Sequence, residues 1–199
     1  MTQTGAFFAV AALVIVTPGP DTALTLRNAL LGGGRAAAAT AVGVACGQAV
    51  WTIAASAGVS ALLAASEPAF LALRIAGGAY LAWLGLHSLW LAWRGSPEVR
   101  GTRGRPRRAF RQGLLSNLSN PKMAVFFTSL LPQFGSSFGA LLLLGLVFAC
   151  MTLVWLTGYG VAAAKAGDVL LRPRVRRVLD AVTGVVLVAL GVRVATERR

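Results

Sequence analysis

The sequence predicts an all-α membrane protein of six transmembrane helices, arranged as two inverted three-helix repeats with a broken first helix in each half. The composition is the first observation behind this prediction. Of 199 residues, 56% are hydrophobic and only 13% are charged, and the mean hydropathy is +0.71. A soluble domain of this size cannot bury so much apolar surface. The second observation is the recurrence of uncharged stretches long enough to cross a bilayer.

Six candidate spans result when these stretches are compared with the roughly 20 helical residues that cross a hydrocarbon core. The uncharged run 123–164 is too long for one span, and Pro132, Gln133 and residues 135–137 punctuate it, so it predicts two spans joined by a turn. The candidate spans are residues 5–31, 36–66, 69–93, the two within 123–164, and 178–196.

Arginine placement predicts the orientation of these spans. The connection between spans three and four, residues 95–111, is rich in arginine and contains one acidic residue, Glu98. The positive-inside rule places this loop in the cytoplasm, and six spans then leave both termini outside. The predicted organisation is a first repeat over 1–94, the basic loop over 95–111 and a second repeat over 112–199. Because topology explains the net charge of +13, we expect the lipid bilayer as a partner and no nucleic acid.

Three spans on each side of the loop mean that similar halves would lie in opposite orientations. Spans three and six align with four identities, and chance matching of two Gly- and Leu-rich helices is the alternative explanation. The aligned pairs are Gly78 with Gly184, Leu81 with Leu187, Leu84 with Leu190, and Gly85 with Gly191.

Each half also has a proline motif that interrupts its first span, T-P-G-P-D at 17–21 and S-N-P-K at 119–122. Proline removes a backbone donor and disfavours helix at the preceding residue, whereas Asn120 followed by Pro121 is a good start for a new helix. Broken backbone at membrane depth is tolerated where it is buried or lines a cavity. Paired breaks in inverted halves therefore point to the binding site of a transporter.

Two ionisable residues, Asp21 and Lys122, follow the two breaks, and charges inside a membrane are usually functional. A purely structural salt bridge between the halves is the alternative. We predict a substrate and ion path lined by Pro18, Gly19, Pro20, Asp21, Asn117, Asn120, Pro121 and Lys122. The secondary candidates for this path are Gly43, Gly47, Gln48 and Gln133. For these four, and also for Gly19, Asn117 and Asn120, helix packing or capping is an alternative of at least equal weight. His87, close to Trp90, fits a membrane interface better than a proton path.

The stretches T-P-G-P-D-T-A-L-T-L-R-N-A-L-L-G-G-G-R at 17–35, Q-G-L-L-S-N-L-S-N-P-K-M-A-V-F-F-T-S-L-L-P-Q-F at 112–134 and G-G-A-Y-L-A-W-L-G at 77–85 resemble the lysine-exporter (LysE/RhtB) family of bacterial amino-acid exporters. The resemblance implies a six-span inner-membrane protein that exports amino acids or close derivatives, driven by the proton gradient. The family often has Asn after the second proline of the first motif, where this chain has Asp21.

The residues suggest how such a substrate would bind. An amino-acid zwitterion would place its carboxylate near Lys122 and Pro121 and its ammonium near Asp21, which is also the candidate proton carrier.

A channel or facilitator for small polar solutes is the alternative function. One histidine and six scattered acids do not form a catalytic set, so we expect no enzyme activity, no catalytic residue, no cofactor and no metal. The sequence also leaves a homo-oligomer open, because the spacing of Gly43 and Gly47 suits helix packing between two chains as well as within one.

Overall fold

The computed structural model describes residues 3–65, 67–94 and 106–165, together with single positions between 174 and 192. Within the three continuous ranges the ordered elements are all helical, in agreement with the predicted class. They are α1 (Gln3–Val16), α2 (Pro20–Ala65), α3 (Glu67–Arg94), α4 (Pro106–Leu118), α5 (Pro121–Val125) and α6 (Phe138–Lys165).

The first predicted interruption separates α1 from α2. Helix α1 has 14 residues, fewer than a bilayer span requires, and the chain becomes helical again at Pro20, whose fixed φ suits a first turn. The gap expected between spans one and two is instead a kink inside α2. Gly33 has φ 71° there, in the left-handed region that glycine adopts without a steric penalty.

The second predicted interruption separates α4 from α5. Helix α4 begins at Pro106, so the last six residues of the segment assigned to the basic loop are helical. Asn120 caps α5, because its side-chain oxygen accepts a hydrogen bond from the backbone N–H of Lys122. Helix α5 continues into a π turn over Phe126–Leu130 and a 3₁₀ turn over Leu131–Gln133. The turn predicted between spans four and five therefore lies immediately before α6.

Apolar and polar side chains are distributed as in a protein surrounded by lipid. Among the described residues, two stretches are long and apolar enough to cross a membrane, Pro20–Gly58 of α2 and Phe138–Lys165 of α6. Large apolar side chains such as Ile53, Leu143 and Val154 are exposed on their outer faces. Asparagine, glutamine, threonine and serine side chains are buried inside, which is the reverse of the pattern in a soluble domain.

The apolar core joins the two halves. Phe7 and Val14 of α1 pack in one cluster with the π turn and α6, where the rings of Phe126 and Phe148 stack with centroids 4.0 Å apart. Helix α3 meets the region of the sixth predicted span, because Gly85 and Gly184 pack against each other's backbone. The described positions of that region are helical, and the rest of 178–196 lies outside the described residues.

Candidate functional site

The carboxylate of Asp21 is buried and bound by three neutral side chains of the second half. Asp21 lies in the first turn of α2 and is 7% exposed. Ser116 Oγ donates to its Oδ1 at 2.7 Å, while Asn117 Nδ2 and Asn120 Nδ2 donate to its Oδ2 at 2.8 and 3.0 Å. Hydrogen bonds to a charged acceptor are strong in a low-dielectric interior. These three donors allow a negative charge to remain inside the protein.

The ammonium of Lys122 is bound in the opposite sense, by backbone of the first half. Lys122 is 6% exposed, and its Nζ donates to the carbonyl oxygens of Val14 at 3.2 Å and Thr17 at 3.0 Å. The last carbonyls of a helix have no partner within that helix and carry partial negative charge. Lys122 therefore caps the C-terminal end of α1, the helix that the first proline motif interrupts.

Together these bonds make a reciprocal arrangement, which we call the break junction: residues 14–21 of the first half and 116–122 of the second. The acidic group of the first break is bound by the second break, and the basic group of the second break is bound by the first. The described hydrogen bonds of Asp21 and Lys122 do not join them to each other, so a direct salt bridge is not what links the halves.

Two glycines provide the space that the break junction occupies. A Cβ at Gly19 would lie 3.1 Å from Lys122 Nζ, and a Cβ at Gly47 would lie 2.8 Å from Asn117 Oδ1. Gly19 was predicted to line the substrate path, and Gly47 was a secondary candidate. In this structure the close approach to both glycines is made by the protein's own polar side chains.

Two of the secondary candidates take part in helix contacts elsewhere. Gly43 packs against the backbone of Phe110 on α4, in a close helix crossing, so it fits the packing alternative. Gln133 Nε2 donates to the carbonyl of Ser129 four residues earlier, which is a local bond within its own turn. Pro18, Pro20 and Pro121 shape the two breaks through their backbone.

Gln48, in contrast, lies at the centre of a second buried polar group that adjoins the break junction. Its Nε2 donates to Thr152 Oγ1 of α6 at 3.2 Å and lies 3.6 Å from the sulfur of Met123. Its Oε1 has no hydrogen-bond partner among the described residues, and the same holds for Asn117 Oδ1. Buried polar atoms without partners are rare in native structures and often mark a place where water or a ligand binds.

Sequence reasoning missed Ser116 and Thr152. No motif distinguishes Ser116. Its one signal in the sequence is that it directly precedes Asn117, a predicted site residue. Thr152 lies in an uncharged run without any polar neighbour that distinguishes it. His87 is exposed on α3, where its ring lies 5.9 Å from that of Trp83 and 5.7 Å from that of Trp90, away from the break junction.

Comparison with known proteins identifies the family of this chain. The LysE type translocator family matches residues 12–198. The chain is 28% identical to the homoserine/homoserine lactone efflux protein of Salmonella typhi, over 97% of this chain and 96% of the relative. It is 29% identical to the threonine efflux protein of Salmonella typhi, over 96% and 98%.

A shorter match covers the chemotactic transduction protein ChpE of Pseudomonas aeruginosa, at 41% identity over 58% of this chain and 56% of ChpE. No solved structure shows a significant match. Because the family match extends over almost the whole chain, from the end of α1 to the C-terminal region, this membrane protein belongs to the LysE type translocator family.

Proposed function

We propose that the protein is a secondary active exporter of amino acids or close derivatives across the bacterial inner membrane, coupled to the proton gradient. The observation that carries the proposal is the break junction, in which one buried carboxylate and one buried ammonium are each bound by the opposite half. The efflux proteins for homoserine and threonine that resemble the chain along its whole length support the same substrate class.

A zwitterion is the chemistry that fits the break junction. When the two halves separate, Lys122 leaves the carbonyls of α1 and Asp21 leaves its three donors, so both charges need new partners. The carboxylate of an amino acid binds the Lys122 ammonium, and its own ammonium binds the Asp21 carboxylate. The surrounding polar groups, including Gln48 and Thr152, are neutral, which favours substrates with small uncharged side chains.

Proton coupling follows from the same exchange. When no substrate ammonium is bound, a carboxylate that loses its donors in one conformation is stabilised by taking up a proton there, and it releases the proton when the donors return or a substrate ammonium replaces it. Asp21 is therefore the proposed proton carrier.

The proposed architecture is six helices in two inverted repeats, with the basic loop in the cytoplasm and both termini outside. The exposed side chains of Arg107, Arg108 and Arg111 at the start of α4 support this orientation.

The test is counterflow in liposomes that contain the purified protein and an imposed pH gradient. A panel of labelled amino acids is compared for wild type, Lys122→Gln and the control Lys165→Gln, whose side chain is exposed at the end of α6. We expect saturable counterflow of small neutral amino acids in wild type and the control, and loss of it in Lys122→Gln. Failure of every amino acid to exchange, with folded protein, contradicts the proposed substrate class.

The same experiment separates an exporter from the channel or facilitator that the sequence left open. A channel shows neither stimulation by substrate on the opposite side nor accumulation against a gradient. Flux without either property would replace the exporter with the channel. Equal counterflow in wild type and Lys122→Gln would instead retain transport and remove the break junction as its site.

A further inference from the structure

A stripe of polar side chains runs along α2 away from the break junction. Gln48, Thr52 and Ser56 are spaced four residues apart, so they follow one face of the helix, and each is at most 1% exposed. The stripe starts beside the break junction, because the preceding residue, Gly47, packs against Asn117. From Gln48 to Ser56 it covers about 12 Å along the helix axis, at 1.5 Å per residue.

Hydrogen bonds inside the helix explain only part of this stripe. Thr52 Oγ1 donates to the carbonyl of Gln48 at 2.7 Å, which is a common way to satisfy a threonine in a helix. Gln48 Oε1 and Ser56 Oγ, however, have no partner among the described residues. An unpaired buried polar group costs about 1–3 kcal/mol. Apolar residues at these positions would avoid that cost, so helix packing alone does not account for polar residues at Gln48 and Ser56.

The opposite wall of the stripe is helix α6. Thr152 accepts a hydrogen bond from Gln48, and Gly145 lies against Thr52 with no room for a Cβ. No positively or negatively charged side chain occurs in Phe138–Ala164, so the described wall is neutral. The two helices are in direct contact here, and the stripe is closed in this conformation.

We propose that Gln48, Thr52 and Ser56 line the exit path from the break junction, and that Gln48 Oε1 and Ser56 Oγ are successive acceptors for a small polar solute. An ammonium or hydroxyl group of the solute donates to these oxygens as it moves along α2. The path opens when α6 separates from α2 at Thr52 and Gly145. The identity of the solute as an amino acid rests on the proposed function, whereas the position of the path rests on the buried stripe.

The test measures which positions on α2 meet water. Cys46 and Cys150, both exposed, are first replaced by serine. Single cysteines are then placed at the stripe positions (Gln48→Cys, Thr52→Cys, Ser56→Cys) and, as matched controls, at two exposed positions on the same helix (Val50→Cys, Ala54→Cys). Each variant in liposomes is treated with a small, charged, membrane-impermeant methanethiosulfonate reagent.

We expect the three stripe positions to react at least tenfold faster than Val50→Cys and Ala54→Cys, although the stripe is the more buried set. The two controls lie on the outer face, where lipid excludes the reagent. Similar or faster reaction at the controls, or an unreactive stripe in protein that performs counterflow, would overturn the path. A reactive stripe in protein that exchanges no amino acid would retain the path and remove only the proposed substrate class.

A transport measurement on a second pair of variants tests whether Gln48 Oε1 is an acceptor for the solute. Gln48→Met keeps the length of the side chain and removes the unpaired oxygen together with the Nε2 donor to Thr152, and Val50→Met is its control on the outer face. We expect a rise of the KM for counterflow in Gln48→Met alone. Equal KM values for the two variants would show that Gln48 Oε1 does not contact the solute.

Discussion

Replacing Asp21 by asparagine separates the charge of the break junction from its shape. The amide nitrogen of asparagine fits best at the Oδ1 position, because the hydroxyl of Ser116 can rotate and accept a hydrogen bond there. The amide oxygen then stays at the Oδ2 position, where it accepts from Asn117 and Asn120 as before. The variant therefore keeps all three hydrogen bonds and loses only the negative charge.

The expected loss of stability in Asp21→Asn follows from the three hydrogen bonds to its side chain. A hydrogen bond to a charged group contributes about 1.5–3 kcal/mol and a neutral one about 0.5–1.5 kcal/mol, so Asp21→Asn loses about 1 kcal/mol per bond. We expect a total loss of stability of about 3 kcal/mol. Asp21→Leu is expected to lose more, because it leaves the donors of Ser116, Asn117 and Asn120 unpaired inside the protein. Thermal unfolding in detergent ranks the three proteins.

Transport by Asp21→Asn tests the proposed proton carrier. If Asp21 carries the proton, the variant no longer accumulates substrate when a pH gradient is imposed, and because the substrate's ammonium also loses its carboxylate partner, we expect counterflow to continue with a raised KM. Liposomes with and without the gradient give both measurements on one preparation. Gradient-driven accumulation by Asp21→Asn at the wild-type level would refute the assignment. Loss of counterflow as well would show that the charge is needed for substrate binding.

Three further predictions follow from the packing. Ser116→Ala is expected to destabilise the protein by about 1.5–3 kcal/mol, the value of one hydrogen bond to a charged acceptor, whereas Ser119→Ala, an exposed serine with local bonds, changes thermal stability little. Gly160→Ala meets the side chain of Ala37 and lowers the melting temperature, while Gly158→Ala, with open space around it, does not. Gly33→Ala costs about 1–3 kcal/mol of unfolding free energy through its backbone conformation alone (φ 71°, ψ −173°), because nothing lies near the added Cβ.

The breaks were predictable from sequence because proline acts through local backbone chemistry. Pro18 ends α1 and Pro121 starts α5 whatever the rest of the chain does, so the interruptions lie where the motifs predict them. The extent of α4 was not predictable in the same way. The positive-inside rule concerns the side of the membrane, not the conformation, and so it could not show that α4 begins within the arginine-rich segment.

The partners of the two charges were beyond the reach of the sequence. Opposite charges after two similar breaks suggest that Asp21 and Lys122 bind each other. The structure instead gives each of them neutral partners, because amide, hydroxyl and free helix-end carbonyl groups already face each charge from the opposite half. Which of several equally placed polar groups makes a bond depends on distances of an ångström or less, and such distances arise only from tertiary packing.

In the proposed mechanism, the reciprocal bonds also keep the translocator closed without substrate. Separation of the halves breaks the bonds of Asp21 and those of Lys122 at the same time, because each charge is bound by the other half. At about 1.5–3 kcal/mol for each hydrogen bond to a charge, opening without replacement partners is rare on thermal grounds. A proton alone satisfies Asp21 but leaves Lys122 unpaired, and an anion alone does the reverse. A zwitterion offers both partners in one molecule, so in the proposed mechanism substrate binding lowers the cost of opening more than a proton or an anion alone does.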